Sequence, residues 1–188
     1  KFTFKVEGVD GKKASPGCWG DPLVYGEEKD APATPVILIS CDTLAANHLS
    51  CYGYSRPTTP NLDAFAKEAV VFENAISPET WTLPSHASMF TGPYPKHHGV
   101  TPNSNLAEST VTLSEAMRSG GYLCGGYIGF TFWLYPWRGF AHGFDVYNTP
   151  SWRFRSIFDT HKLAGGWLDA VDTKNVFLFL HNFDVHSK

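Results

Sequence analysis

The sequence predicts an α/β protein with a mixed, mainly parallel sheet flanked by helices. Two continuous apolar runs, PVILIS at residues 35–40 and VFLFLHNF at residues 176–183, are typical of strands that helices cover on both faces. Between them, amphipathic segments with helical spacing alternate with further apolar runs. We expect this sheet to be truncated and to follow a β-hairpin that is the remnant of a preceding domain.

The first 33 residues differ from the rest of the chain. KFTFKV alternates apolar and polar positions, and SPGCWGDPLVYG supplies a second strand-like piece after a turn. Two strands alone are marginal in water, so we expect residues 1–33 to pack as a β-hairpin and linker apart from the main sheet. Residues 34–188 then form the second unit.

Asp42 comes directly after the first apolar run. Ligands of open α/β sheets bind outside the carboxyl ends of the strands, so an acid at this point is a candidate metal ligand or catalytic group. It is equally well placed as the N-cap of a helix over TLAANHL. The sequence leaves these two interpretations open.

Two elements are predicted between Asp42 and the next polar cluster. Asn61 is a candidate N-cap for a helix over residues 61–70, whose inward face would carry Leu62, Phe65, Ala66 and Ala69. The apolar run VVFENAIS at residues 70–77 predicts a strand. That strand would deliver the following segment to the same edge of the sheet as Asp42.

Thr82 precedes Pro84 by two positions, and a short apolar helix ending at Gly92 follows. This pattern predicts Thr82 as the N-cap, with its hydroxyl near free backbone N–H groups and the positive end of the helix dipole. Such a place accommodates a tetrahedral anion. A plain capping threonine is the alternative.

The second half of the chain continues the βα pattern. We predict a helix over TLSEAMRSGGY, a strand over YLCGGYIG, a helix over residues 151–172 and the final apolar strand. Residues 130–150 are rich in aromatic residues and glycine without clear periodicity, which predicts a long loop whose rings either pin it to the core or form a substrate platform. Asp184 and His186 stand beyond the last strand.

Composition excludes several classes of function. A net charge of -3 with 15 Lys and Arg in no basic stripe argues against nucleic acid as a partner. The chain contains no apolar stretch of about 20 residues, so it carries no transmembrane segment. Lys1 opens no signal-peptide pattern, so the protein is periplasmic or secreted if a leader was removed and otherwise cytoplasmic.

The residues over 36–100, from VILISCDTLAANHLSCYGY to WTLPSHASMFTGPYPKHHGV, resemble the N-terminal half of sulfatases within the alkaline phosphatase superfamily. FLFLHNFDVH at residues 177–186 resembles a later motif of the same family. The resemblance implies an alkaline phosphatase/sulfatase-like fold and metal-assisted attack on a sulfate or phosphate ester through a covalent intermediate. The substrate would be a small-molecule or glycan ester.

Carried over by position, Asp42 matches the first metal-binding aspartate of the family, and Thr82 matches the nucleophile, which also binds the metal. Sulfatases carry Cys or Ser there, converted to formylglycine within Cys/Ser-x-Pro-x-Arg, whereas this chain has Thr-Leu-Pro-Ser-His. His86 stands where the arginine belongs and is counted among the catalytic residues. We expect Thr82 to stay unmodified, which is similar to the phosphodiesterase and phosphoglycerol-transferase branches of the superfamily.

His186 matches the histidine of the family's Asp-Pro-His element, which implies a donor to the anionic oxygens or the leaving group, although a structural histidine is the alternative. The implied cofactor is a divalent metal ion, calcium first, with zinc or manganese as alternatives. The remaining acidic ligands of the family are expected beyond Lys188, so we expect this chain by itself to be inactive.

Two competing interpretations remain at this point. The altered nucleophile motif is compatible with a non-catalytic, sulfatase-like binding domain. A Rossmann-like nucleotide-binding domain is disfavoured, because neither PVILIS nor YLCGGYIG is followed by a G-x-G-x-x-G turn.

Overall fold

A computed structural model describes residues 34–130, 132–151, 153–171 and 175–186 of the chain. The predicted hairpin and linker at residues 1–33 lie outside these ranges. The elements in chain order are β1 (Val36–Cys41), 3-10 turns at Ala46–His48 and Ser50–Tyr52, α1 (Pro60–Ala66), α2 (Thr82–Thr91), α3 (Pro95–His98), α4 (Leu113–Ser119), β2 (Leu123–Ile128), a 3-10 turn at Pro136–Arg138, β3 (Val146–Asn148), α5 (Ile157–Ala170) and β4 (Val176–Asn182).

The four strands form one sheet in the order β1-β4-β2-β3, and every neighbouring pair is parallel. The predicted α/β fold with a mainly parallel sheet and flanking helices is confirmed. The register pairs Cys41 with Asn182 and Ile128 with His181, so β1, β4 and β2 end together at one edge of the sheet. We call this the carboxyl edge.

Strand β4 lies inside the sheet and is buried along its whole length, as its continuous apolar run predicts. The same prediction for β1 was wrong, because β1 is an edge strand of the described sheet and Ile37 and Ile39 are 53% and 52% exposed. Phe177 and Phe179 face one layer, where they pack with Leu83 and Phe90 of α2. The alternate residues of β4 face the second layer, in which α5 supplies Ala164 and Trp167. This two-sided packing fixes α2, and hence the residues at its start, against the sheet.

The helix starts follow from local hydrogen bonding. Thr112 accepts from the backbone N–H of Glu115, and the Glu115 carboxylate accepts from the N–H of Thr112, which is a capping box at the start of α4. Ser156 caps α5 by accepting from the N–H of Asp159. None of the helices in the described ranges is both long and apolar enough to cross a membrane.

Several predicted elements around α1 were wrong. VVFENAIS forms no strand, because a turn at Glu73–Asn74 interrupts it and its apolar side chains do not enter the sheet; Ile76 is 89% exposed. Helix α1 begins at Pro60 after Thr59 and ends at Ala66, and Leu62 and Phe65, predicted to face inward, are exposed. TLAANHL contains one 3-10 turn with Ala45 as its N-cap, so the alternative in which Asp42 caps a helix there does not hold.

The aromatic segment is more ordered than the predicted loop. It contains the 3-10 turn Pro136–Arg138 and the short edge strand β3, which pairs with β2. Leu134 and Phe140 are buried in the core, whereas Phe132 and Trp137 are 48% and 62% exposed. The segment therefore is anchored by some of its apolar side chains and presents others at the surface. The helix predicted over residues 151–172 begins at Ile157 and ends at Ala170.

Candidate active site

Asp42 lies at the carboxyl edge because β1 ends directly before it. Its N–H donates to the carbonyl of Asn182 over 2.9 Å, which continues the ladder between β1 and β4 by one residue. Thr43 then turns the chain away with a φ of +59°, a left-handed conformation that is uncommon for a β-branched residue. The turn holds the Asp42 side chain at the end of the sheet, where it is 8% exposed.

Thr82 is the first residue of α2, and Trp81 in extended conformation is the N-cap. The prediction that the Thr82 hydroxyl caps its own helix was therefore wrong. The hydroxyl instead donates to Oδ2 of Asp42 over 2.9 Å. Donation to the ionised carboxylate is favoured over capping, in which the hydroxyl would accept from a neutral backbone N–H. Hydrogen bonds to ionised groups are roughly twice as strong as neutral ones.

The Asp42 carboxylate receives two hydrogen bonds on one oxygen. Thr82 and the ring Nε2 of His181 both lie within 3.3 Å of Oδ2. Burial raises the pKa of Asp42, but the hydrogen bonds from His181 and Thr82 outweigh burial and hold the pKa below its usual value. Asp42 is consequently an ionised carboxylate at neutral pH.

His86 lies one turn into α2 and is 4% exposed. Its Nδ1 is 2.8 Å from the carbonyl oxygen of Thr82, and its Nε2 is 2.9 Å from Oγ of Ser40. Burial, together with the neighbouring His181, lowers the pKa of His86 to about 4, so the ring is neutral at pH 7. Since a carbonyl only accepts, Nδ1 carries the hydrogen and Nε2 accepts from Ser40. Both ring nitrogens are thus engaged within the protein.

His181 is a site residue that the sequence analysis missed. It is the penultimate residue of β4, is fully buried, and packs its ring 5.2 Å from that of His86 in an edge-to-face arrangement. The available signal was a histidine followed by an asparagine at the end of an otherwise apolar strand. Both residues fit the strand pattern, so the pattern by itself does not indicate what they contact.

His186 follows β4, whose last residue, Asn182, pairs with Cys41 at the end of β1. Its ring stacks on Phe183 with centroids 4.2 Å apart and an interplanar angle of 15°, and Phe183 in turn lies 6.0 Å from the ring of His181. Asp184 accepts a hydrogen bond from the N–H of Ile157 at the start of α5. The structure thus brings Asp42, Thr82 and His86 together with His181, and places His186 one ring away from that group.

The donor set gives a partial fit to a divalent cation. Asp42 and Thr82 offer carboxylate and hydroxyl oxygens, the donor type that hard cations take. Calcium takes six to eight such oxygens, however, and the described residues contain no cluster of three or more His, Cys, Asp or Glu placed to hold a metal. The pair is suitable as part of a metal site and is not a complete one.

The sequence of the chain is similar to known proteins. A family model described as Sulfatase matches residues 34–187. An N-acetylgalactosamine-6-O-sulfatase of Bacteroides thetaiotaomicron is 35% identical over 96 residues, which are 48% of this chain and 19% of that protein. Arylsulfatase A of Homo sapiens is 34% identical over 97 residues, again 48% and 19%. The matched region therefore spans about a fifth of the length of these relatives.

The fold is also similar to that of solved structures. The crystal structure of a phosphonate monoester hydrolase of Agrobacterium radiobacter superimposes with a TM-score of 0.64 at 23% identity, covering 82% of this chain and 41% of that one. At this identity the likeness concerns the fold.

Proposed function

Because this chain belongs to the sulfatase family, we propose that it carries the nucleophile of a hydrolase that acts on sulfate or phosphate esters. The observation that supports this most strongly is the contact between the Thr82 hydroxyl and the ionised Asp42 carboxylate at the start of α2. A nucleophilic hydroxyl needs an acceptor for its proton and a place for the anionic group it attacks. The carboxylate supplies the first and the helix N-terminus favours the second.

In the first step of the proposed reaction, the Thr82 oxygen forms a bond to sulfur or phosphorus while the bond to the leaving ester oxygen breaks. The hydroxyl proton moves to Oδ2 of Asp42, and His186 donates a proton to the leaving oxygen. In the second step, water forms a bond to sulfur or phosphorus and gives a proton to His186, while the bond to the Thr82 oxygen breaks and the threonine takes back the proton held by Asp42. The backbone N–H groups and dipole of α2 stabilise the negative charge throughout.

A divalent cation belongs to this proposal, with calcium as the first candidate and zinc or manganese as alternatives. The oxygens of Asp42 and Thr82 would be two of its ligands, and the bound cation would supply Lewis acidity to the hydroxyl and the ester oxygens. Further ligands would have to come from outside the described residues.

His86 has a different role from that of the arginine whose place it takes. Because both its ring nitrogens are used within the protein and its ring is neutral, it is not available to bind an anionic ester oxygen. Its Nδ1–H instead holds the carbonyl of Thr82 and so fixes the backbone that carries the nucleophile. We assign His86 as a positioning residue of the proposed site.

The threonine at position 82 bears on the type of reaction that we propose. A threonine is not converted to the formylglycine of standard sulfatases, so the site favours direct attack by the hydroxyl. The second candidate is a phosphodiesterase-like or phosphoglycerol-transferase-like reaction, because an unmodified threonine at this position is similar to those branches of the superfamily. The relatives bear the names of one glycan sulfatase and one arylsulfatase, so the ester is proposed to be that of a glycan or another small molecule.

The proposal is tested by assaying the full-length protein on p-nitrophenyl sulfate, p-nitrophenyl phosphate and bis-p-nitrophenyl phosphate, each with calcium, manganese or zinc. We expect turnover of at least one ester, lost by several powers of ten in Thr82→Ala. Thr91→Ala is the matched control, since Thr91 is the last residue of the same helix and its hydroxyl donates to the carbonyl of Ala87 within that helix. Absence of turnover on every ester and metal would contradict the proposal and favour a non-catalytic binding domain.

A further inference from the structure

His181 is a polar residue in the most buried strand of the sheet. It is fully buried, and its ring packs against those of His86 and Phe183. A buried polar side chain costs free energy unless it is hydrogen-bonded. Positions 177 and 179 of the same strand are phenylalanine, so the strand itself does not require a histidine for packing.

The hydrogen on the His181 ring can be placed from its partners. Oδ2 of Asp42 accepts from the Thr82 hydroxyl and lies 3.3 Å from Nε2 of His181, so the hydrogen bond between Oδ2 and the ring requires that Nε2 carry the hydrogen. The other nitrogen, Nδ1, is buried and has no hydrogen-bond partner among the residues the structure describes. Leaving such a group unpaired costs about 1–3 kcal/mol, so stability alone does not account for a histidine here.

We propose that His181 is a positioning residue for the Thr82 nucleophile, an inference that rests on the proposed function. Aspartate carboxylates rotate broadly about χ2, so their two oxygens exchange places easily. The Nε2–H of His181 and the hydroxyl of Thr82 converge on the same oxygen, Oδ2. His181 thus fixes one orientation of the carboxylate and keeps Oδ2 in place for the threonine proton.

Two variants separate the hydrogen bond from packing. His181→Phe keeps a buried ring and removes the donor, whereas His181→Gln offers an amide N–H at a reach similar to that of Nε2. We expect His181→Phe to lower kcat by about 10- to 100-fold, the usual effect of losing a residue that orients a ligand, with little change in KM. His181→Gln should restore part of kcat. Ser114→Ala is the control, because Ser114 is equally buried and hydrogen-bonded to the carbonyl of His142, away from the site.

A second measurement does not depend on turnover. Titration of the full-length protein with MnCl2 or CaCl2 in a calorimeter should show about 10- to 100-fold weaker binding for His181→Phe than for the parent, and weaker binding than for His181→Gln. Unchanged kcat and unchanged cation affinity in a folded His181→Phe protein would overturn the inference. Equal losses in the Phe and Gln variants would also overturn it, because they would indicate a packing role.

If the His181 variants do not fold, the parent protein itself provides a further test. Nitrogen-15 NMR of the histidine rings in the parent protein should show His181 with its hydrogen on Nε2, and a hydrogen on Nδ1 alone would contradict the proposed bond. The parallel Thr82→Ala measurement separates the two levels of the proposal. Full activity in Thr82→Ala would show that Thr82 is not the nucleophile. A loss of activity in Thr82→Ala with none in His181→Phe would contradict only the role of His181.

Discussion

Thr82 donates its hydroxyl hydrogen to Oδ2 of Asp42 over 2.9 Å, although 40 positions separate the two residues in the chain. The contact exists because β1 ends at Asp42 while α2 begins at Thr82 and packs its apolar face on β4, the neighbour of β1. The carboxylate therefore meets a hydroxyl at a helix N-terminus, a position that also favours an anionic group.

Replacing Asp42 by asparagine should remove the charge while preserving the shape of the side chain. We expect kcat/KM of the full-length protein to fall by about 100-fold or more, because a hydrogen bond to a charged acceptor contributes up to about 3 kcal/mol. Steady-state kinetics on the ester that the parent turns over gives the measurement. Asp159→Asn is the control, since Asp159 pairs with Ser156 at the exposed start of α5. Equal activity of Asp42→Asn and the parent would exclude the carboxylate from the reaction.

Alanine substitutions at two glycines should change the free energy of unfolding in opposite directions. A Cβ on Gly125 of β2 would lie 2.7 Å from the Trp167 ring, so Gly125→Ala should destabilise the protein by about 1–3 kcal/mol through overpacking. A Cβ on Gly165 of α5 meets nothing within 4 Å, and alanine is the better helix former, so Gly165→Ala should stabilise by up to about 1 kcal/mol. Urea unfolding of both variants measures the difference. Destabilisation by Gly165→Ala would contradict the placement of α5.

Cys124 should be protected from thiol reagents in the folded protein. Burial, with a smaller contribution from the nearby Asp145 carboxylate, raises the pKa of its thiol from 9.0 to about 11. Because the unfolded state releases the proton first, this group lowers stability as the pH rises from about 9 towards 11 and has no effect well below pH 9. Peptide mapping after iodoacetamide treatment at pH 8 should show Cys41, which is exposed, labelled before Cys124. Equal labelling in the native state would contradict the buried position.

Two strands and the edge that carries the site could be predicted from the sequence. PVILIS and VFLFLHNF both form strands, but only VFLFLHNF is central and buried on both faces as such a run predicts, whereas PVILIS forms an edge strand of the described sheet. Thr82 was expected at the same edge as Asp42 because VVFENAIS was predicted to be a strand. The two residues are in contact, but VVFENAIS forms no strand, and the packing of α2 on β4 brings Thr82 there instead.

Other features could not be obtained from local pattern. VVFENAIS has the composition of a strand, but a strand also needs a partner edge, and apolarity alone does not show whether one is present. The Thr82 hydroxyl fitted an N-cap locally, and only the tertiary contact with Asp42 decided its partner. His181 could not be distinguished from a tolerated strand residue, because its role depends on a carboxylate 139 positions earlier in the chain.

The central claim is that the Thr82 oxygen itself forms the covalent bond to substrate. Rapid quenching of the full-length protein during turnover of its p-nitrophenyl ester, followed by mass spectrometry of the peptide that holds Thr82, tests this claim most directly. We expect an unmodified threonine in the resting protein, and one sulfuryl or phosphoryl group on Thr82 during turnover. The adduct should also form on serine in Thr82→Ser and be absent in Thr82→Ala. An active Thr82→Ala protein, or an adduct on another residue, would contradict the account.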